Sequence, residues 1–234
     1  ILLLVLLALG LPVAFALGMG GVAGMLAFMG GESALNQLPI LGYKSLDDFV
    51  LTAVTMYILM SQILLTGKVG NNLFELANKW LRHLPGGLGI ATVMACAIFA
   101  AITGSSVACA VTIGAIAIPE MLSRGYDRPL VLGAVAAGGT LGILIPPSIP
   151  MILYGAITDE SIGKLFMSGV VPGIMMTAMI MGIVVFRSRH LEREQAASWS
   201  ERMEELRKNI WGLLLPVIVV GGIYTGVFTP TGAA

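Results

Sequence analysis

The sequence predicts an all-α, polytopic membrane protein, and three observations predict it. Hydrophobic residues make up 57% of the 234-residue chain and charged residues 11%, with a mean hydropathy of +0.93, which leaves too little polar surface to cover a soluble globule. Uncharged apolar stretches exceed the roughly 18 residues that a bilayer span needs. Thirty glycines suit helices that approach closely in lipid, and Gly20/Gly24, Gly138/Gly142 and Gly222/Gly226 have GxxxG spacing. The formal net charge of zero offers no basic face to nucleic acid. Cys96 and Cys109 lie in apolar segments without His or acidic neighbours, so they read as small core residues rather than metal ligands or a disulfide.

Taken in order, Ile1–Met29 is a first span whose Pro12 and clustered Gly18, Gly20, Gly21 and Gly24 predict a kink and tight packing; it lacks the short core and small-residue cleavage site of a signal peptide. A loop carrying Glu32, Lys44, Asp47 and Asp48 leads to a second span, Phe49–Gly67. In Asn72–Leu84 the residues Leu73, Leu76, Ala77, Trp80, Leu81 and Leu84 share one helical face, with Glu75, Lys79 and Arg82 off it. That pattern fits a helix lying in the membrane interface, the alternative being a solvated surface helix.

Gly86–Pro119 is uncharged for 34 residues, yet Ala101-Ile102-Thr103-Gly104-Ser105-Ser106 sits at its centre. Gly104 suits the left-handed end of one helix, and Ser105 or Ser106 suits the cap of the next. The expected result is a helical hairpin with a polar tip inside the membrane. The competing reading is one long helix whose serines bond back to the preceding turn.

The next apolar segment has no charge from Pro129 to Thr158 but contains Gly138-Gly139-Thr140-Leu141-Gly142-Ile143-Leu144-Ile145-Pro146-Pro147-Ser148-Ile149-Pro150. Each proline lacks an N–H and crowds the carbonyl one turn back, so the helix must stop and restart. Freed backbone groups are tolerated at membrane depth only where protein buries them or they line a polar cavity. Thr158-Asp159 then reads as an ordinary cap for a short helix to Met167, followed by a span Val170–Phe186. In the polar connector beyond, Ser198 and Glu201 have capping-box spacing, Glu204 and Lys208 pair at i,i+4, and Trp199, Met203, Leu206 and Ile210 form a stripe. His83 and His190 fall among basic residues in connectors and read as loop residues rather than bases or ligands. Trp211–Phe228 is a last span.

If the hairpin enters and leaves by the same face, all of the thirteen Lys and Arg residues except Lys44 and Lys164 lie on one side, which assigns that side to the cytoplasm. Two complete crossings at Gly86–Pro119 would give the same count.

The residues resemble a known family, the large membrane subunit (DctM-like) of tripartite ATP-independent periplasmic (TRAP) transporters. The resemblance rests on Gly10-Leu11-Pro12-Val13-Ala14-Phe15-Ala16-Leu17-Gly18, on Ile102-Thr103-Gly104-Ser105-Ser106, on Gly142–Pro150 with Tyr154-Gly155, and on Gly221–Thr231 ending Phe228-Thr229-Pro230-Thr231. It implies a sodium-driven, elevator-type importer of organic acid anions with inverted repeats. A periplasmic substrate-binding protein would feed it, and a small four-helix membrane subunit would sit beside it in the bacterial inner membrane. It also implies that this chain covers about the N-terminal half. Residues 1–84 would then be scaffold-like, 85–168 transport-like with the re-entrant hairpin and broken helix, 169–208 a span and cytoplasmic connector, and 209–234 the start of a second repeat. Gly232 is a departure, standing where family members commonly carry an acid.

The same resemblance places the site at the hairpin tip and the broken helix. Carbonyls and hydroxyls of Thr103, Gly104, Ser105, Gly142 and Ile145 are the expected ligands of the sodium ion, the coupling ion and sole cofactor expected. Ser105, Ser106, Pro147, Ser148 and Pro150 are expected to meet the substrate, a C4-dicarboxylate, a sialic or other sugar acid, or a keto acid. The residues favour sodium over protons, because Phe49–Gly67, Gly86–Pro119 and Pro129–Thr158 contain no acidic, basic or histidine side chain. An ion channel also exposes carbonyls, and an anion carrier working without a binding protein would share the architecture. An intramembrane enzyme would need a partner for Ser105 or Ser106, and these spans supply no His, Lys or Asp.

Overall fold

The computed structural model describes residues 1–46, 49–191 and 193–229, all of whose regular elements are α-helices. Three described helices are long and apolar enough to cross a membrane, Ser106–Ser123, Arg128–Thr158 with its internal break, and Ile162–Ser188; a further pair, Trp199–Lys208 and Ile210–Tyr224, meets the same measure across a 57° bend. The chain divides into two compact units, Ile1–Asp48 and Phe49–Ala234.

In the first unit α1 (Leu2–Ala8) and α2 (Val13–Met29) are separated at Gly10, whose φ of 82° only glycine adopts freely, and at Pro12, so the expected kink is a full break. The segment expected as a loop is helical: α3 spans Gly31–Leu46 and carries Pro39 in its interior. Helix-forming Glu, Ala, Leu and Gln before the proline outweigh the polar composition that suggests a loop. Asp47 and Asp48 lie outside the described residues, as does the Pro230–Ala234 segment with Gly232. Apolar side chains such as Leu4, Phe15 and Phe28 are exposed, as lipid-facing residues are.

The second unit is organised around α6 (Gly87–Thr103), with α4 (Phe49–Thr66), α5 (Val69–Leu81), α7 (Ser106–Ser123), α8 (Arg128–Leu144), α10 (Ile162–Ser188) and α12 (Ile210–Tyr224) packed against it. Most of α6 is buried, with Phe99, Val93, Cys96 and Ile102 fully so. Small residues make these approaches possible. A Cβ on Gly138 would come within 2.9 Å of Cys96 Sγ, one on Gly139 within 2.7 Å of Ala110 Cβ, and one on Gly89 within 2.6 Å of Val184 Cγ1. Cys109 Sγ lies 3.4 Å from the Cys96 carbonyl, so both thiols belong to the α6–α7 seam.

The stripe on α5 is real: Leu73, Leu76 and Ala77 are buried and Glu75 is exposed, and the buried face meets the protein core. The α9 helix (Ile149–Thr158) ends where Asp159 takes a left-handed φ of 54°. Asp159 is therefore a C-terminal cap rather than the start of a short helix, a conformation its short polar side chain tolerates. The expected short helix to Met167 and the span after it are one continuous α10, which accommodates Pro172 in its interior as membrane helices can. In α11 (Trp199–Lys208) the capping box is complete: Ser198 Oγ accepts the Glu201 amide at 3.3 Å, and Glu201 Oε2 accepts the Ser198 amide at 2.8 Å. The Lys208–Glu204 pair forms at 2.7 Å. Contacts with α5 dock this connector, through Lys79 Nζ to Glu205 Oε1 at 2.9 Å and an edge-on approach of Trp80 and Trp199 with centroids 6.0 Å apart.

Candidate functional site: the hairpin tip against the broken helix

The tip is built by two residues with opposite conformational demands. Gly104 ends α6 with φ 61° and ψ 15°, its amide donating to the Ala100 carbonyl at 2.9 Å. Ser105 then turns extended, at φ −126° and ψ 120°, and its hydroxyl accepts the Ala108 amide at 3.4 Å to cap α7. The expected break between two helical arms is therefore present, formed by the expected residues, and the single-helix alternative is excluded.

The broken helix is stopped as its prolines require. The last intact bond at its end runs from the Ile145 amide to the Leu141 carbonyl at 2.8 Å, after which Pro146 and Pro147, joined by a cis peptide bond, contribute no donors. Ser148 is fully buried, and its hydroxyl donates back across the break to the Ile143 carbonyl at 2.8 Å instead of capping α9. This supplies one of the carbonyls that the break leaves unpaired.

Tip and break touch. The Ile149 amide donates to the Gly104 carbonyl at 3.3 Å. A Cβ on Gly104 would lie 2.5 Å from the Pro147 carbonyl oxygen, and one on Gly142 would lie 2.7 Å from the Ser105 carbonyl oxygen and 2.8 Å from the Ser106 nitrogen. Helix ends of both polarities thus converge: α6 and α8 end here with partial negative charge, while α7 and α9 begin here with partial positive charge.

Of the residues expected at the site, Thr103, Gly104, Ser105, Ser106, Gly142, Pro147 and Ser148 are brought into this junction. Ile145 is the C-cap of α8, so its carbonyl, the group expected to meet the ion, stays at the break, while its side chain lies over Gly173 of α10, where an added Cβ would meet its Cγ1 at 2.9 Å. Pro150 is exposed, although the first turn of α9 around it is half-buried at Ile149 and Met151 and buried at Ile152. Sequence reasoning missed the Ile149 amide, and it missed Ser61 of α4, whose hydroxyl lies 2.9 Å from the Thr103 carbonyl. No local pattern marks Ser61, whereas Ile149 is the first residue after the break and so carries one of the unpaired amides of a helix start.

The outer side of the break adjoins a cavity of about 530 Å³ between α6, α10 and α12, walled by Ala101, Ile145, Pro146, Ile174, Met181 and Val217 among others. Its lining is almost wholly apolar, and the Thr177 hydroxyl on its wall is engaged with the Gly173 carbonyl at 2.7 Å. An anion would find no free donor there. The backbone polar groups of the helix ends meet at the tip–break junction instead.

Two helix interruptions pressed together in the apolar interior of a helical membrane protein are a feature that broken-helix secondary carriers share. Residues 1–234 match the family model described as the tripartite ATP-independent periplasmic transporter, DctM component, and the chain belongs to that family. It is 42% identical over 221 residues to the C4-dicarboxylate TRAP transporter large permease protein DctM of Pseudomonas aeruginosa, which covers 94% of this chain and 51% of that protein. It is 38% identical over 236 residues to the protein of the same description from Vibrio cholerae serotype O1, covering 100% of this chain and 52% of that one. The isethionate TRAP transporter permease protein DctMQ of Oleidesulfovibrio alaskensis is 36% identical over 239 residues, covering 97% of this chain and 36% of that protein. The chain thus spans about half the length of the first two relatives. It is a multi-pass protein of the bacterial inner membrane.

Proposed function

We propose that the chain forms part of a sodium-coupled permease that imports an organic acid anion delivered by a periplasmic binding protein, with a small membrane subunit alongside. Its share of the ion and substrate site is the junction of Thr103–Ser106 with Gly142–Pro150. One observation carries this reading: the Gly104 carbonyl is held by the Ile149 amide while Gly142 lies against the backbone of Ser105 and Ser106, so helix ends of opposite polarity meet in an apolar interior.

A sodium ion takes oxygen ligands, and carbonyls at the ends of α6 and α8 are the groups that broken helices present to cations. The beginnings of α7 and α9 would favour a carboxylate. Cation and anion then support each other's binding, a coupling typically worth about 1–3 kcal/mol and reciprocal between the two. The elevator movement and the division into scaffold-like residues 1–84 and transport-like residues 85–168 are parts of the same proposal.

The named relatives act on different substrates, a C4-dicarboxylate and isethionate among them. Both are anions, in keeping with the class proposed here. The test is uptake by the complete permease, reconstituted with its partner proteins, with and without an inward sodium gradient. Uptake that needs both sodium and the binding protein supports a coupled carrier. Uptake indifferent to sodium removes the coupling, and a flux that does not saturate points to a channel.

A further inference from the structure

The hairpin tip has two carbonyls at its turn, Thr103 and Gly104, and each receives a donor from a different part of the chain. Gly104 is held by the Ile149 amide at 3.3 Å. The Thr103 carbonyl lies 2.9 Å from Ser61 Oγ, across 42 residues of sequence. Both carbonyls belong to the last turn of α6 or its cap, where a helix offers them no partner of its own.

Ser61 is buried, and its hydroxyl lies at the same distance, 2.9 Å, from the Tyr57 carbonyl one turn back in α4. A hydroxyl has one proton. Serines in membrane helices commonly donate it to the carbonyl four residues back, and here a second acceptor from another helix competes for it. The second acceptor belongs to the strand of backbone proposed above to hold a cation.

We infer that Ser61 is a positioning residue for the hairpin tip: from α4 its hydroxyl holds the Thr103 carbonyl in place, as the Ile149 amide of α9 holds the Gly104 carbonyl from the other side. A carbonyl oxygen has two lone pairs, so each keeps one free while its direction is fixed. A site held in this way binds a cation without first ordering its ligands. The effect on sodium rests on the proposed function, whereas the clamp itself rests only on the Ser61–Thr103 contact.

The test uses the complete permease reconstituted with its partner proteins and compares wild type, Ser61→Ala and Ser61→Thr. Uptake is measured against sodium concentration at fixed substrate, and amide exchange is followed in the peptide covering residues 100–108. Losing one hydrogen bond should raise the sodium concentration for half-maximal uptake by about three- to tenfold in Ser61→Ala, with the maximal rate little changed. Exchange at the tip should quicken in the same variant. Ser61→Thr keeps the hydroxyl and should restore both.

An unchanged sodium dependence with unchanged tip exchange overturns the inference, since Ser61 would then serve only Tyr57. A lower maximal rate at unaltered sodium dependence, not rescued by threonine, also overturns it in favour of packing alone. Wild-type uptake that ignores sodium would sink the functional reading instead. In that case the exchange measurement alone decides the clamp: faster tip exchange in Ser61→Ala upholds it, and unchanged exchange overturns it.

Discussion

Gly104 and Ile149 are joined by a single hydrogen bond of 3.3 Å that ties the turn of one helix pair to the restart of another. Both residues are where they are because a helix had to end. Gly104 closes α6 with a left-handed backbone, and Ile149 is the first residue of α9 once the prolines have broken its predecessor. The bond therefore joins two interruptions that separate physical causes produced.

Gly104 should tolerate no side chain. Valine there meets a φ of 61° and places its Cβ 2.5 Å from the Pro147 carbonyl oxygen. The left-handed backbone alone costs about 1–2 kcal/mol, and the backbone clash adds to it. Gly24→Ala, in a helical position with nothing within 4 Å, should be close to neutral. Expression, detergent stability and uptake of the two variants check this, with equal tolerance counting against the tip geometry.

Gly142 should be nearly as strict for a different reason. Its backbone is ordinary helix, but an alanine Cβ would sit 2.7–2.8 Å from backbone atoms of Ser105 and Ser106. Overpacking of this kind costs about 1–3 kcal/mol and would push the tip off the break. Gly133→Ala in the same helix, with open space around it, should leave stability and uptake unchanged. A similar melting temperature and rate for both variants would argue that α8 and the hairpin are not in contact.

Much of this junction was legible in the sequence, because its causes are local. The Pro-Pro-Ser-Ile-Pro demands an interruption whatever surrounds it, whereas the Gly-Ser-Ser of the preceding stretch suits a break but also fits one long helix, and the left-handed Gly104 with the extended Ser105 decides between them. What was not legible depends on contact across the fold. Ser61 lies 42 residues from Thr103 and looks like any serine bonding back to its own helix. The helix Gly31–Leu46 was obscured by Pro39 and by its polar residues, which suggest a loop when no packing is known. Asp159 carries the residue type of an N-terminal cap, yet its left-handed conformation closes the helix before it. The resemblance supplied the family, which the family match confirms over residues 1–234.

The distribution of basic residues predicts orientation. The turn between α9 and α10, around Glu160, should face the periplasm, and the start of α11, around Ser198, should face the cytoplasm. Both positions are exposed. A membrane-impermeant thiol reagent applied to intact cells should label Glu160→Cys and spare Ser198→Cys in a background lacking Cys96 and Cys109. The reverse pattern would invert the topology.

The connector helix α11 should lose order in acid. The Ser198 backbone amide, with the Ser198 side chain, holds the Glu201 carboxyl below the usual carboxylate range. A depressed value in the folded state means that the capping contact stabilises α11 fully above the ordinary carboxylate pKa. The contribution is lost as pH falls through the lowered value. Amide protection in residues 198–208, corrected for intrinsic exchange rates, should drop across that window, and Glu201→Gln should flatten the dependence.

The central claim is that the hydroxyls and carbonyls of the tip serve the transported ion and anion. The most direct measurement is sodium-driven uptake by the complete reconstituted permease with Ser105 and Ser106 both changed to alanine, beside Ser188→Ala at the buried C-terminal end of α10. Removing the α7 cap costs about 1 kcal/mol, so folding is monitored in parallel by thermal stability. The double variant should fold and lose much of the dependence of its uptake on sodium or substrate, and the Ser188→Ala variant should behave like the wild type. Undiminished, sodium-dependent uptake in the double variant would contradict it.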